Sequence, residues 1–217
     1  MGLLLHRHLI PEGELGIWKI EESEDFFREK LDLLPQEEAQ IDNMKGHRRL
    51  EWLAGRYLLH YMSGREIRGA CLVDEFGKPY LEGSTYHISI SHSHGQVAIM
   101  AAPEVVGVDI QLLVEKIWRI AYKFMRREES ESLLPATSLE HLHVYWGAKE
   151  ALYKAYGRRE IDFHEHLHIA PFAFSPQGGK TTGWIRKDQR PMEMEVSYEL
   201  REGGFVLVWA REKLTTP

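Results

Sequence analysis

A chain of 217 residues, 43% hydrophobic and 28% charged, is long enough to bury a core of its own and is neither fibrous nor disordered in composition. Its 27 basic and 33 acidic residues leave a net charge of −6, which disfavours general affinity for nucleic acid or anionic membrane, so any anionic ligand needs a local basic pocket. The single cysteine, Cys71, excludes an intrachain disulfide and thiolate-rich zinc or iron–sulfur sites, and suits a reducing, cytoplasmic compartment. The opening MGLLLHRHLIPEGELGIW is interrupted by His6, Arg7 and His8 and lacks the apolar run and small-residue cleavage site of a leader, so none is expected. No stretch approaches the roughly eighteen apolar residues of a membrane helix, and no membrane association is expected.

In chain order, residues 3–10 read as a strand and 17–20 as a second short apolar run, with Pro11, Glu12 and Gly13 supplying turn chemistry between them. From 36 to about 62 the apolar residues recur at helical spacing with a break near Gly46, which predicts two helices or one broken helix. Between 71 and 111 short β-prone runs alternate with Gly77, Gly83, Gly95 and Pro103. Helical patterns follow at 117–125 and 139–156, then strands at 167–174, 181–186, 191–200 and 204–210. In MEMEVSYEL (192–200) apolar and polar residues alternate almost strictly, as in a strand with one buried face. Both halves run through helices into antiparallel-looking strands, which gives an α+β class.

Three segments carry chemistry. In WGAKEALYKAYG (146–157), Trp146, Glu150 and Lys154 step by four along one side of a helix that Gly157 should stop. Taken alone, Glu150 and Lys154 are an ordinary helix-surface pair worth about 0.2–0.5 kcal/mol. In VGVDIQ (106–111) an acid, Asp109, interrupts an apolar strand, where a carboxylate is costly without a cation or cationic partner. The alternative is a strand-end Asp capping a turn. In HISISHSHG (87–95), preceded by GKP (77–79), small donors, imidazoles and glycine at a strand end suit a phosphate-binding loop, with Lys78 adding a fixed charge.

Taken together, GKP, a strand ending SHS, GVDIQ and the complete W-x-x-K-E-A-x-x-K-x-x-G resemble the signatures of the 4′-phosphopantetheinyl transferase superfamily, in its monomeric Sfp type. The resemblance implies two similar, pseudo-twofold-related halves, 1–104 and 105–217, each an antiparallel sheet packed with helices, with the active site made at their interface. It implies transfer of the phosphopantetheine arm of coenzyme A to a serine of an acyl or peptidyl carrier protein, with release of 3′,5′-ADP. Asp109, Gln111 and Glu150 would then hold Mg²⁺, and Glu150 would also help deprotonate the serine. Lys154 would pair with a pyrophosphate oxygen, and Arg49, Lys78, Ser91, His92 and Lys149 would meet coenzyme A. The residue types suit that chemistry, since Mg²⁺ is commonly held by one or two carboxylates plus substrate phosphates and waters.

One departure stands out. Many members of that family carry Glu where this chain has Gln111, so the expected metal site has two carboxylates and an amide. Of Arg48, Arg49 and Arg56, the expectation for the 3′-phosphate of coenzyme A falls on Arg49. Two competing functions remain at this level. A non-catalytic homologue that binds coenzyme A or a carrier protein would explain Gln111, and a histidine-bound zinc hydrolase would use His87/His92/His94, His141/His143 or His164/His166/His168, although no HExxH helix is present.

Overall fold

The computed structural model describes residues 2–42, 44–187 and 191–213. The chain divides into two compact units, Met1–Pro103 and Glu104–Pro217.

The first unit contains β1 (Leu3–His8), β2 (Glu14–Lys19), α1 (Glu24–Leu31), α2 (Pro35–Ile41), α3 (His47–Ser63), β3 (Cys71–Val73), β4 (Pro79–Leu81), β5 (His87–Ser93) and β6 (Gln96–Ala102). Its sheet is antiparallel throughout, in the order β1-β2-β6-β5-β4-β3. The break expected near Gly46 falls between α2, which begins on Pro35, and α3, which ends at Gly64 with φ 60°. α3 packs Leu53, Ala54, Leu58 and Met62 into the core with Trp18, Val97 and Ile99 of the central strands. α1 was not legible as a separate helix. Ser23 starts it by accepting from Phe26 N at 3.3 Å, and Phe27 and Leu31 bury its inner side.

The second unit contains β7 (Val106–Leu112), α4 (Arg127–Glu131), α5 (Ser138–Tyr156), β8 (Leu167–Ile169), β9 (Gly179–Ile185), β10 (Met192–Arg201) and β11 (Phe205–Glu212), again antiparallel, in the order β7-β11-β10-β9-β8. α5 lies across β7 and β11, and its core includes Leu142, Tyr145, Ala148, Ala151 and Leu152 against Val196, Val206 and Val208. The chain is therefore α+β, with two antiparallel sheets packed with helices.

Two sequence expectations change. Residues 117–125 form no α-helix; the path from 115 to 123 is two 3₁₀ turns, Glu115–Arg119 and Ala121–Lys123, neither with a side-chain cap. The strand expected over 167–174 ends at Ile169, because Pro171 has no amide to continue the ladder. In β10 the expected burial holds for Met194, Val196 and Tyr198, and Ser197 on the opposite face is buried as well.

Candidate active site

The contact between β7 and α5 explains the first chemical cluster. Odd-numbered residues of β7 face the helix. A Cβ on Gly107 would lie 1.8 Å from the Ala151 carbonyl oxygen, so at this position only glycine lets the backbones approach. Two residues on, Asp109 is buried and its Oδ1 lies 2.7 Å from Lys154 Nζ. Lys154 also donates to the Val108 carbonyl at 3.1 Å. This settles how a carboxylate is tolerated in an apolar strand: a helix ammonium neutralises it.

Glu150 stands one turn before Lys154. Burial and the neighbouring Asp109 carboxylate push its carboxyl up to about 7, against the opposing pull of Lys154. Asp109 pairs directly with the Lys154 ammonium, whereas Glu150 feels that charge only as a smaller opposing effect.

Gln111 is held by His143. The Gln111 amide nitrogen donates to the His143 carbonyl at 3.1 Å, and its oxygen lies 3.0 Å from His143 Nδ1. His143 Nε2 lies 3.0 Å from Val114 N and 3.2 Å from the Val114 carbonyl oxygen, so the ring is tied to the chain just past β7 through Nε2 and to Gln111 through Nδ1. Burial holds this imidazole below its ordinary pKa, in keeping with a neutral ring. His143, Gly147, Glu150 and Lys154 follow one another on the side of α5 that meets β7, and this spacing is the signal that would have found His143.

Trp146, stepping by four with Glu150 and Lys154 along α5 as expected, packs on Phe124 and Phe163, with ring centroids 4.9 and 5.4 Å away. Lys149 also reaches Phe124 and Phe163 and is fully buried. Its ammonium is 2.8 Å from Glu129 Oε2 and donates to the carbonyls of Phe124 and Phe163. Glu129 also accepts from the amides of Arg126 and Ile169 at 2.8 and 3.0 Å, so both members of the buried pair are fully hydrogen bonded. Glu129 accepts from the Arg126 amide at the start of α4, but Arg126 offers no side-chain acceptor of the kind by which Ser or Thr marks such a start in a sequence.

In the first unit each candidate has neighbours of its own. Lys78 follows Gly77, whose φ is 89°, in the turn between β3 and β4; Asp74 Oδ1 accepts from the Phe76 and Lys78 amides there. Burial lowers the pKa of the Lys78 ammonium. Ser91 is buried on β5, while His92 is half-exposed with Nδ1 3.0 Å from Glu51 of α3. The glycine after SHSH closes a two-residue hairpin, His94 and Gly95 having φ of 46° and 77° between the paired Ser93 and Gln96. Arg49 donates to the Met44 carbonyl and lies 3.4 Å from Glu24. Arg56 is buried, stacked 3.6 Å over the Trp52 ring and donating to the Cys71 carbonyl.

Residues 105–208 match the family model of the 4′-phosphopantetheinyl transferase superfamily. No curated protein matches the chain. The part similar to that superfamily begins just before β7 and runs into β11, so it contains Asp109, Gln111, Glu150 and Lys154 together with the supporting His143 and Glu129. GKP, SHS and Arg49 precede it. Of the paired histidines, His141 and His143 fall on a helix, and among the described residues none of the pairs named in the sequence belongs to a trio of ligand atoms within reach of one metal ion. No helix among those residues is long and apolar enough to cross a membrane.

Proposed function

We propose that the chain is an Sfp-type phosphopantetheinyl transferase: a monomeric, cytoplasmic enzyme that moves the 4′-phosphopantetheine of coenzyme A onto a serine of an acyl or peptidyl carrier protein. The observation that carries this reading is the cluster of buried Asp109 with the partly exposed Lys154 and Glu150, inside the stretch similar to that superfamily. Two carboxylates and an amide oxygen are a hard oxygen donor set of the kind that fits Mg²⁺. Asp109 and Glu150 would hold the ion, with Gln111, its amide fixed by His143, as the third oxygen donor. Bound Mg²⁺ supplies charge neutralisation on the pyrophosphate.

The residues then divide the work. Glu150 accepts the serine hydroxyl proton, the serine oxygen forms its bond to phosphorus, and the bond from that phosphorus to 3′,5′-ADP breaks. Lys154, already ordered by Asp109 and the Val108 carbonyl, neutralises charge on a pyrophosphate oxygen. Lys149 supports the helix through Glu129. Lys78, Ser91, His92 and Arg49 are assigned to the phosphates of coenzyme A by the resemblance.

Incubating an apo carrier protein with coenzyme A and Mg²⁺ tests this by mass spectrometry. The expected result is a gain of one phosphopantetheine on the carrier, abolished by Glu150→Ala. Coenzyme A binding with no gain across several carriers would establish the non-catalytic function instead.

A further inference from the structure

The hairpin of β1 and β2 carries a cluster that phosphopantetheine transfer does not use. His6 and His8 are two apart and so share one face of β1, the edge strand, and Glu14 is the register partner of His8 on β2. His6 Nε2 is 2.7 Å from one Glu14 oxygen and His8 Nδ1 is 2.6 Å from the other. The three ligand atoms all lie within 4.8 Å of one another, and among the described residues no other trio of His, Cys, Asp or Glu meets that condition.

The surroundings hold two of the three in place. The His6 and Glu14 side chains are 24% and 22% exposed, and the His6 ring meets the edge of Tyr61 at 5.9 Å. His8 is 83% exposed, held by its contact with Glu14 and by the His6 ring 5.3 Å away. Ligand atoms on a tetrahedral zinc ion lie about 3.3 Å apart, so small ring rotations convert the hydrogen-bonded trio into three ligands. Two imidazoles and one carboxylate select a borderline transition cation over Mg²⁺ or Ca²⁺, whose preferred ligands are all oxygen.

We propose that His6, His8 and Glu14 form a binding site for one divalent transition cation of the zinc type, with water completing the coordination. The ion would tie the edge strand to its neighbour. Binding displaces the protons that now bridge the imidazoles to Glu14.

Calorimetric titration of the metal-stripped full-length protein with Zn²⁺ tests the site, with the absorption spectrum of Co²⁺ reporting ligand geometry. Saturable binding of one ion per chain, with Kd of about 10 μM or tighter, is expected. The His6→Ala/His8→Ala double variant should weaken it at least about tenfold, as should Glu14→Ala. The Zn²⁺-induced rise in melting temperature should vanish in the same variants. Weaker or absent binding overturns the proposal, and so does equally tight binding in the double variant or a loss produced by His164→Ala/His166→Ala instead. These are surface side chains, and an unchanged melting temperature of each metal-free variant checks that it folds.

Discussion

Gln111 carries the departure from the pattern with the largest chemical consequence. A carboxylate there adds one negative charge beside Asp109 and Glu150, so Gln111→Glu should lower the Mg²⁺ concentration for half-maximal transfer, on the order of tenfold for one extra ligand charge. The same substitution removes the donor that the His143 carbonyl now receives, so the comparison is made with melting temperature recorded alongside. Unchanged Mg²⁺ dependence in a folded variant would sink the charge argument. Lys149 and Lys154 show why a motif alone does not sort roles: both are signature lysines five residues apart, yet one is fully buried on Glu129 and the other reaches Asp109 at the helix edge. Removing one partner leaves a buried ammonium uncompensated, so Glu129→Ala should cost about 3–5 kcal/mol of stability, read by chemical denaturation. Glu129→Gln, which keeps an acceptor, should cost less.

Among the elements, α5 and β7 were the most legible because several independent signals agreed. Helix formers and a terminal Gly157 marked α5, whose C-cap has φ 69°, and an apolar run marked β7. What stayed hidden was partnership. Asp109 looked anomalous in the sequence because Lys154, 45 residues away, neutralises it, and spacing within one segment holds no information on such pairs. The segment 117–125 misled for the opposite reason: its buried Ile117, Phe124 and Met125 mimic helical periodicity, while tertiary packing sets the turns. In SHSHG, composition suggested a loop and the structure has a two-residue hairpin. Glycine 107 bears directly on the element contact. Gly107→Ala places a methyl on the Ala151 carbonyl and should destabilise by about 3 kcal/mol, at the upper end of overpacking costs, as measured by denaturant midpoint.

At the scale of the whole molecule, the net charge of −6 does not describe the local fields, and one buried group couples stability to acid. His141 is enclosed by Tyr145, Phe172 and Phe174, with no hydrogen-bond partner for either ring nitrogen among the described residues. Desolvation lowers its pKa from 6.5 to about 4. The unfolded chain takes up a proton near 6.5 while the folded one stays neutral until about 4, so this contribution is intact above 6.5 and is lost as the pH falls from 6.5 towards 4. The loss amounts to about 3 kcal/mol. Denaturation across that range should show the slope in the native chain and a flatter one in His141→Phe; equal slopes would mean that other groups govern the acid limb.

The glycine contacts between α5 and its sheet have one more consequence. Gly107 admits the Ala151 carbonyl, while Gly147 admits Val208 and the Gln111 amide, so two separated points index the helix along the strands. A slide by one turn would drive side chains into both notches. The spacing of Asp109 from Glu150 and Lys154 is therefore a property of a locked register, like the teeth of a rack, and is set when the unit folds. Little reorganisation energy remains for the acid pair when a ligand arrives, so, if the proposed function holds, inhibitors that mimic the charge of the pyrophosphate should meet a rigid receptor in this unit.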